Sequence, residues 1–387
     1  MRCVVVGAGA WGLPAAAELA RRGHRVTLVD RYGPANLLSS SPGPTRLWRL
    51  THPDAVRVRL ALRSLEAMER LSSLAGEEVF GRRGLLWRDG AAGVGDVVDA
   101  LTGEDVTHEV LDSGDVGRRI PGLRPDGRHA VWTDEGGPVL AAVSMRAQQR
   151  LFESAGGELV VGRQVASVDA VASGVRIGLD DGSTLEADTA VLAPGPGAVR
   201  LLEGLGVPLA LRPRLEQVVH LGSPEDPAAM DGVPCLVDRP HLGDDGSEVP
   251  NLYAMPTPGR GYKVGIDRPL RDLVDGDVDR TPSEAVTAQI TERVRLDITG
   301  VPAVPLDAQV HSWTESPDGR FVLDTLPGGV VVACGDSGEG FKFSALMGPL
   351  LADLAEGRTP DPDVASFGLA RFASAGLLDT GRVDVNR

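Results

Sequence analysis

The stretch VVVGAGAWGLPAAAELARRGHRVTLVD, residues 4–30, constrains the fold more than any other part of the chain. Its unbroken apolar run, Val4-Val5-Val6, reads as a buried parallel strand. The run turns through Gly7-Ala8-Gly9-Ala10-Trp11-Gly12 into a helix carried by Leu13, Ala15, Ala16, Leu19 and Ala20. After Gly23 a second strand, Val26-Thr27-Leu28-Val29, ends on Asp30. Strand, GxGxxG, helix, strand and acid is the order a dinucleotide site requires. Gly7 permits the tight turn, Gly9 lets the backbone approach a pyrophosphate, and Gly12 lets the helix pack closely on the sheet. The helix start at Ala10 and Trp11 offers free N–H groups to phosphates, and Asp30 can accept from a ribose hydroxyl. A glycine turn in some other α/β protein is the bland alternative, and the flanking elements argue against it. NAD and FAD both use this fingerprint, so the motif alone leaves the cofactor open.

The remaining composition excludes several classes of function. A chain of 387 residues is too long for one ordinary core and implies two domains or one elaborated one. A formal net charge of −15 argues against nucleic acid and anionic membrane surfaces as partners, so an anionic substrate needs a local basic cluster. No apolar stretch is long enough to span a bilayer. The dinucleotide unit begins at residue 1, so no signal peptide or transit sequence is expected. Cys3, Cys235 and Cys334 lack metal or redox spacing and read as buried thiols, which fits a cytoplasmic protein without a metal site.

Farther along, a Ser/Pro/Gly loop at 39–44 leads into Thr45-Arg46-Leu47-Trp48-Arg49-Leu50. Residues 54–76 have helical periodicity, 81–87 read as a turn and strand, and 95–125 as a small helical excursion. A helix is expected over about 142–155, then strands at 159–161, 175–179 and 184–186. Asp180-Asp181-Gly182-Ser183 marks the hairpin between the last two. The buried run at 189–193 ends in Ala193-Pro194-Gly195. From about 209 to 315, short strands alternate with Pro/Gly/Asp loops, as in a mostly antiparallel sheet, with a helix at 281–297. Gly329 to Gly335 is one more buried strand, which turns through Asp336–Phe343 into a helix ending near Leu354. The fold expected is α/β, with an α+β second lobe and a discontinuous Rossmann-like layer. Residues 1–84, 142–208 and 316–387 form the cofactor domain, and 85–141 and 209–315 an antiparallel-sheet substrate domain.

The succession GxGxxG, Thr45-Arg46-x-x-Arg49, Ala193-Pro194-Gly195, Gly261-Tyr262-Lys263 and Gly338-Glu339-Gly340-Phe341-Lys342-Phe343-Ser344 resembles one family over nearly the whole chain. It is that of the FAD-dependent amine and amino-acid oxidases of the D-amino-acid-oxidase superfamily, closest to the monomeric sarcosine oxidase and N-methyltryptophan oxidase branch. The resemblance implies oxidation of a C–N bond to an imine by hydride transfer to flavin N5. It also implies O2 as the reoxidant, giving H2O2, a carboxylate-bearing amino acid or amine as substrate, and a monomer. An FAD dehydrogenase with another electron acceptor is the alternative within enzymes, and a non-catalytic flavin-binding protein the alternative outside them.

Resemblance also assigns roles. Arg49 and Lys342 become carboxylate anchors, a task the planar guanidinium suits. Arg46 lies against the flavin, Lys263 activates O2, and Tyr253 is an active-site tyrosine. The FAD set becomes Gly7, Gly9, Ala10, Trp11, Gly12, Asp30, Arg31, Ser40, Thr45, Arg46, Val165, Gly195, His311, Gly338, Gly340, Phe341 and Lys342. The residues alone allow blander readings: surface arginines at a solvated helix start, a surface strand lysine, a half-buried strand tyrosine. Four departures from the family pattern stand out. His311 holds the position of the family's flavin-linking cysteine, so FAD is expected to be bound non-covalently, with a histidyl link through His311 as the lesser alternative, since imidazole is also a nucleophile. Asp267 and Glu339 each replace a family histidine, and Trp48 a family aliphatic residue, which points away from sarcosine itself and toward a larger or more polar substrate. Asp267 is read either as a partner for a substrate ammonium or as an ordinary turn aspartate.

Overall fold

The computed structural model describes residues 1–243 and 246–374. The opening stretch forms strand Arg2–Val6, helix Gly12–Arg21 and strand Arg25–Asp30. Alternation along the first strand explains its unbroken apolarity. Cys3 and Val5 enter the core on one face of the sheet, and Val4 and Val6 that on the other. The sheet runs in the order Val322–Leu326, Val330–Cys334, Thr189–Leu192, Arg2–Val6, Arg25–Asp30, Glu158–Val161. All neighbours are parallel except the edge strand Val322–Leu326. Helix Gly12–Arg21 packs against helices Ala141–Ser154 and Ser344–Ala355. Opposite them, a three-stranded antiparallel sheet, Val165–Val171, Gly174–Leu179 and Thr184–Ala187, buries Val168 and Ile177 against Val4 and Val6.

The second large sheet has nine strands, antiparallel except where Cys235–Asp238 runs parallel to Leu85–Asp89. Period-two alternation sorts its side chains between two faces. Tyr262, Val264 and Ile266 join a core closed by helix Glu284–Asp297 through Ile290 and Val294. Lys263, between them, therefore projects from the opposite face. On the neighbouring strand Leu252 and Ala254 join the same core, and Tyr253 points the other way.

Several elements differ from the sequence expectation. Thr45–Arg49 is a strand, paired antiparallel with Gly136–Leu140, and not a helix start. The Gly136-Gly137-Pro138 stretch is part of that ribbon because close backbone approach requires it. A Cβ at Gly137 would lie 1.9 Å from the Gly81 carbonyl oxygen. The 95–125 segment is helix Ala91–Gly103, strand Glu109–Leu111 and a short helical turn Ser113–Arg118, not one helical excursion. Strands His129–Thr133, Val165–Val171 and Val322–Leu326 have no counterpart in the sequence expectation. Residues 375–387 of the expected 316–387 segment lie outside the described residues. No helix among the described residues is long and apolar enough to cross a membrane.

Candidate active site

A cavity of about 630 Å³ runs between the two sheets, from the first glycine turn to the roof formed by the nine-stranded sheet. Its nucleotide end is built from the GxGxxG loop. Gly7 has φ +98°, and a Cβ there would lie 2.3 Å from the Ala193 carbonyl oxygen. At Gly12 a Cβ would meet the Gly7 carbonyl at 1.9 Å, so this glycine closes the loop on itself as well as on the sheet. Asp30 accepts from the N–H groups of Ala8 (2.7 Å), Tyr32 (2.8 Å) and Gly33 (2.7 Å). At the helix start the Ala10 N–H donates to the Ser41 hydroxyl at 2.8 Å. Ser40 instead hydrogen-bonds Ser312 at 3.0 Å. The Trp11 indole N–H donates to the Gly340 carbonyl at 2.9 Å, joining the first glycine turn to the last.

Arg46 and Arg49 leave the same strand toward this cavity. Arg46 donates to the carbonyls of Thr45 (2.9 Å), Ser40 (3.0 Å) and Pro42 (2.5 Å), and its guanidinium lies 5.6 Å from the Phe341 ring centroid. It thus ties down the serine loop. Arg49 donates to the Thr51 carbonyl and stacks 4.6 Å over Trp87. Burial lowers Arg49 to about 10, with Glu339 opposing the shift. Burial likewise lowers Lys342, 7% exposed, to about 8, with Glu339 again opposing and Arg49 adding to the shift. Glu339 accepts from Arg49 Nη2 and Lys342 Nζ, both at 3.1 Å, and pairs with Arg57 Nε at 3.1 Å. Burial alone would raise this carboxyl. Lys342, His52, Arg49 and Arg57 hold it well below the usual carboxylate range.

The roof carries Tyr253, Lys263, Asp267 and a residue without a sequence signal, Glu216. The Tyr253 hydroxyl donates to the Glu216 carboxylate, reaching across the strand between them. Gly265 makes this reach possible, since a Cβ there would lie 2.4 Å from Tyr253 Cζ and 2.5 Å from its oxygen. Burial raises Glu216 to about 7, the Tyr253 hydrogen bond opposes that, and Asp267 adds to it. Asp267 is itself raised by desolvation in the cavity wall, although the residue remains solvent-exposed. Lys263 donates to the Thr45 carbonyl at 2.7 Å. Burial and the charge of Arg46 push its ammonium toward the neutral amine, and Glu216 resists. His311 stands opposite Glu216 in the strand register. Both its ring nitrogens are buried without a hydrogen-bond partner, and burial with Arg46 and Lys263 keeps the imidazole neutral.

The glycine turns, Asp30 and Gly195 therefore share one cavity with Arg46, Arg49, Lys263, Lys342, Tyr253, Asp267, His311, Gly338 and Phe341. Gly12, Arg31, Thr45 and Val165 stand outside its wall. Arg31 lies 3.6 Å from Asp275, and Val165 is buried in the core with Val168 and Ile177. Thr45 meets the site through its carbonyl. Glu216, Arg57, Asn251 and Trp87 are wall residues that the sequence reading does not assign to the site, and Ser41 comes from the 39–44 loop. The lining fits a flavin dinucleotide: a glycine cradle and an acid at one end, and unpartnered buried polar atoms of His311, Trp313, Thr314 and Asn251 toward the other.

Comparison with known proteins agrees with this geometry. Residues 2–354 match the family model described as FAD dependent oxidoreductase (DAO). The chain belongs to this family. It is 30% identical over 385 residues to the monomeric sarcosine oxidase of Streptomyces avermitilis, covering 96% of this chain and 98% of the relative. To the N-methyl-L-tryptophan oxidase of Citrobacter koseri it is 25% identical over 377 residues, covering 95% and 98%. Among solved structures, NikD, an amino acid oxidase essential for nikkomycin biosynthesis, superposes with TM-score 0.80 at 25% identity, covering 94% of this chain and 96% of that one. The protein is thus an FAD-dependent oxidoreductase of the amine and amino-acid oxidase type.

Proposed function

We propose that the protein oxidises the C–N bond of a carboxylate-bearing amino acid, or secondary or cyclic amine, to an imine, with O2 as the final acceptor and H2O2 as product. The observation that carries this reading is the grouping of Arg49 and Lys342 with Tyr253, Lys263 and the glycine turn around a single cavity. When bound, FAD supplies the two-electron acceptor for the hydride that leaves the substrate carbon. The GxGxxG loop, Asp30, Arg46, His311 and the Gly338–Lys342 turn would hold it, without a covalent bond because His311 stands in place of the linking cysteine. Segments 1–84, 142–208 and 316–387 form the lobe that binds it, and 85–141 and 209–315 the lobe that roofs the substrate.

Arg49 and Lys342 fix the substrate carboxylate, which orients the reacting carbon. The amine must be neutral before its carbon gives up a hydride. Lys263 offers an N–H to negative charge developing on O2. Oxygen uptake and peroxide formation, measured over a panel of amino acids with the wild type, Arg49→Gln and Lys342→Met, test this reading. The expected result is uptake with at least one carboxylate-bearing amine and a KM raised at least about tenfold in both variants. Turnover with an unchanged KM in the variants overturns the anchor assignment. Reduction of the flavin without O2 uptake favours an acceptor other than O2.

A further inference from the structure

The two anchor cations are already engaged by a carboxylate of the chain itself. Glu339 Oε1 accepts from Arg49 Nη2 and Lys342 Nζ, each at 3.1 Å, and Oε2 lies 3.1 Å from Arg57 Nε. Its side chain is 22% exposed and lines the same cavity, whereas Lys342 beneath it is 8% exposed. Glu339 belongs to the turn that precedes the Gly340–Phe343 helical turn, so a change of its side-chain rotamer requires no movement of a strand or a helix. Arg57 is fixed independently by Asp54, at 2.8 Å, in the first turn of helix Ala55–Ala75. If Glu339 left Arg49 and Lys342, it would still have Arg57 as a partner.

We propose that Glu339 is a built-in competitor for the substrate carboxylate and sets the affinity threshold that a substrate must exceed. A ligand carboxylate gains Arg49 and Lys342 only by displacing Glu339 Oε1 toward Arg57. This proposal rests on the reading of Arg49 and Lys342 as the anchor. A small amino acid, which has few other contacts to offer, cannot compensate for that displacement. A larger amine, whose body also fills the space beneath Glu216, Asn251 and Trp87, can. Glu339 therefore sets a threshold: at a given concentration a small amino acid stays unbound, while a bulky one with further contacts still binds.

The test uses simple carboxylates, acetate, benzoate and pyrrole-2-carboxylate, titrated into the FAD-loaded protein and followed by flavin absorbance and by the rise in melting temperature. Glu339→Gln removes the competing charge while keeping an amide that can still accept from Arg49. It is expected to tighten binding of all three about tenfold or more, by similar factors. Glu339→Asp keeps the charge but shortens the reach, and is expected to give a smaller gain of the same sign. If Glu339 instead serves only to hold Arg49 and Lys342 in place, both variants bind carboxylates more weakly. Unchanged or weaker binding in both variants overturns the proposal. Arg49→Gln in the Glu339→Gln background separates the two readings. Loss of the gain supports the anchor, and a gain that survives shows that the anchor assignment itself is at fault.

Discussion

The roof of the cavity depends on one missing methyl group. A Cβ on Gly265 would lie 2.4 Å from Tyr253 Cζ, 2.5 Å from its hydroxyl oxygen and 2.8 Å from Cε1, contacts that a ring held between strands cannot relieve by a small shift. Gly265 has no unusual φ, so Gly265→Ala tests packing and not backbone strain. The ring must tilt, and two costs follow: overpacking of about 1–3 kcal/mol, and loss of the hydroxyl donor to Glu216, about 1.5–3 kcal/mol for a hydrogen bond to a charged group. The second figure applies above about pH 7, where Glu216 is ionised, and the two costs overlap, because the tilted ring loses the hydrogen bond in relieving the clash. A double-mutant cycle isolates the effect. Tyr253→Phe should cost only the hydrogen bond, and Gly265→Ala should cost more than Tyr253→Phe. In a Tyr253→Ala background Gly265→Ala should cost little, since the clashing ring is gone. Melting temperatures followed by flavin fluorescence at a fixed scan rate give the ordering. A Gly265→Ala protein that melts like wild type, or a cost that persists undiminished once the Tyr253 ring has been removed, refutes the placement of the tyrosine.

Other consequences are equally concrete. Because Glu216 is raised from 4.5 to about 7, the folded chain retains a proton that the unfolded chain releases between those values, and stability is lost as pH rises through that window. Asp267 and Asp336 shift the same way, so only the difference between wild type and Glu216→Gln reports this residue; melting temperatures from acid to neutral pH should show wild type losing ground, and parallel profiles would contradict it. Asp30→Asn replaces one of two carboxylate oxygens that together receive three main-chain N–H groups, so about 1–3 kcal/mol of local stability should go. FAD affinity, read from fluorescence on dilution, should fall with it; unaltered affinity would remove Asp30 from the cofactor site. Acid precipitation should leave the flavin in the supernatant, and flavin on the pellet would mean a covalent link, with His311 the first residue to examine.

The parts of the fold legible in sequence are those where both faces of a strand are buried. Val4-Val5-Val6 and Val330–Cys334 are apolar throughout because a core lies on each side. Residues 45–49 carry no such pattern, since Arg46 and Arg49 interrupt it for the sake of the cavity. Lys263 is conspicuous as a lone cation in an apolar strand. Glu216 is not, because its neighbour Gln217 is also polar and buried for another reason. Gln217 accepts from the Ser283 N–H at 2.6 Å and so caps helix Glu284–Asp297, which hides the alternation that would mark Glu216 as facing the cavity. Arg57 reads as an exposed helix residue. It reaches Glu339 through tertiary packing that local spacing does not encode.

Anaerobic mixing of the purified yellow protein with sarcosine, proline, pipecolate, N-methyl and aromatic amino acids, in both enantiomers where they exist, tests the central claim most directly. The account predicts that at least one carboxylate-bearing amine, drawn from the larger members, bleaches the flavin absorbance, and that admitting air restores it. A flavin that stays oxidised with every amine in the panel, at concentrations that saturate its relatives, would contradict it.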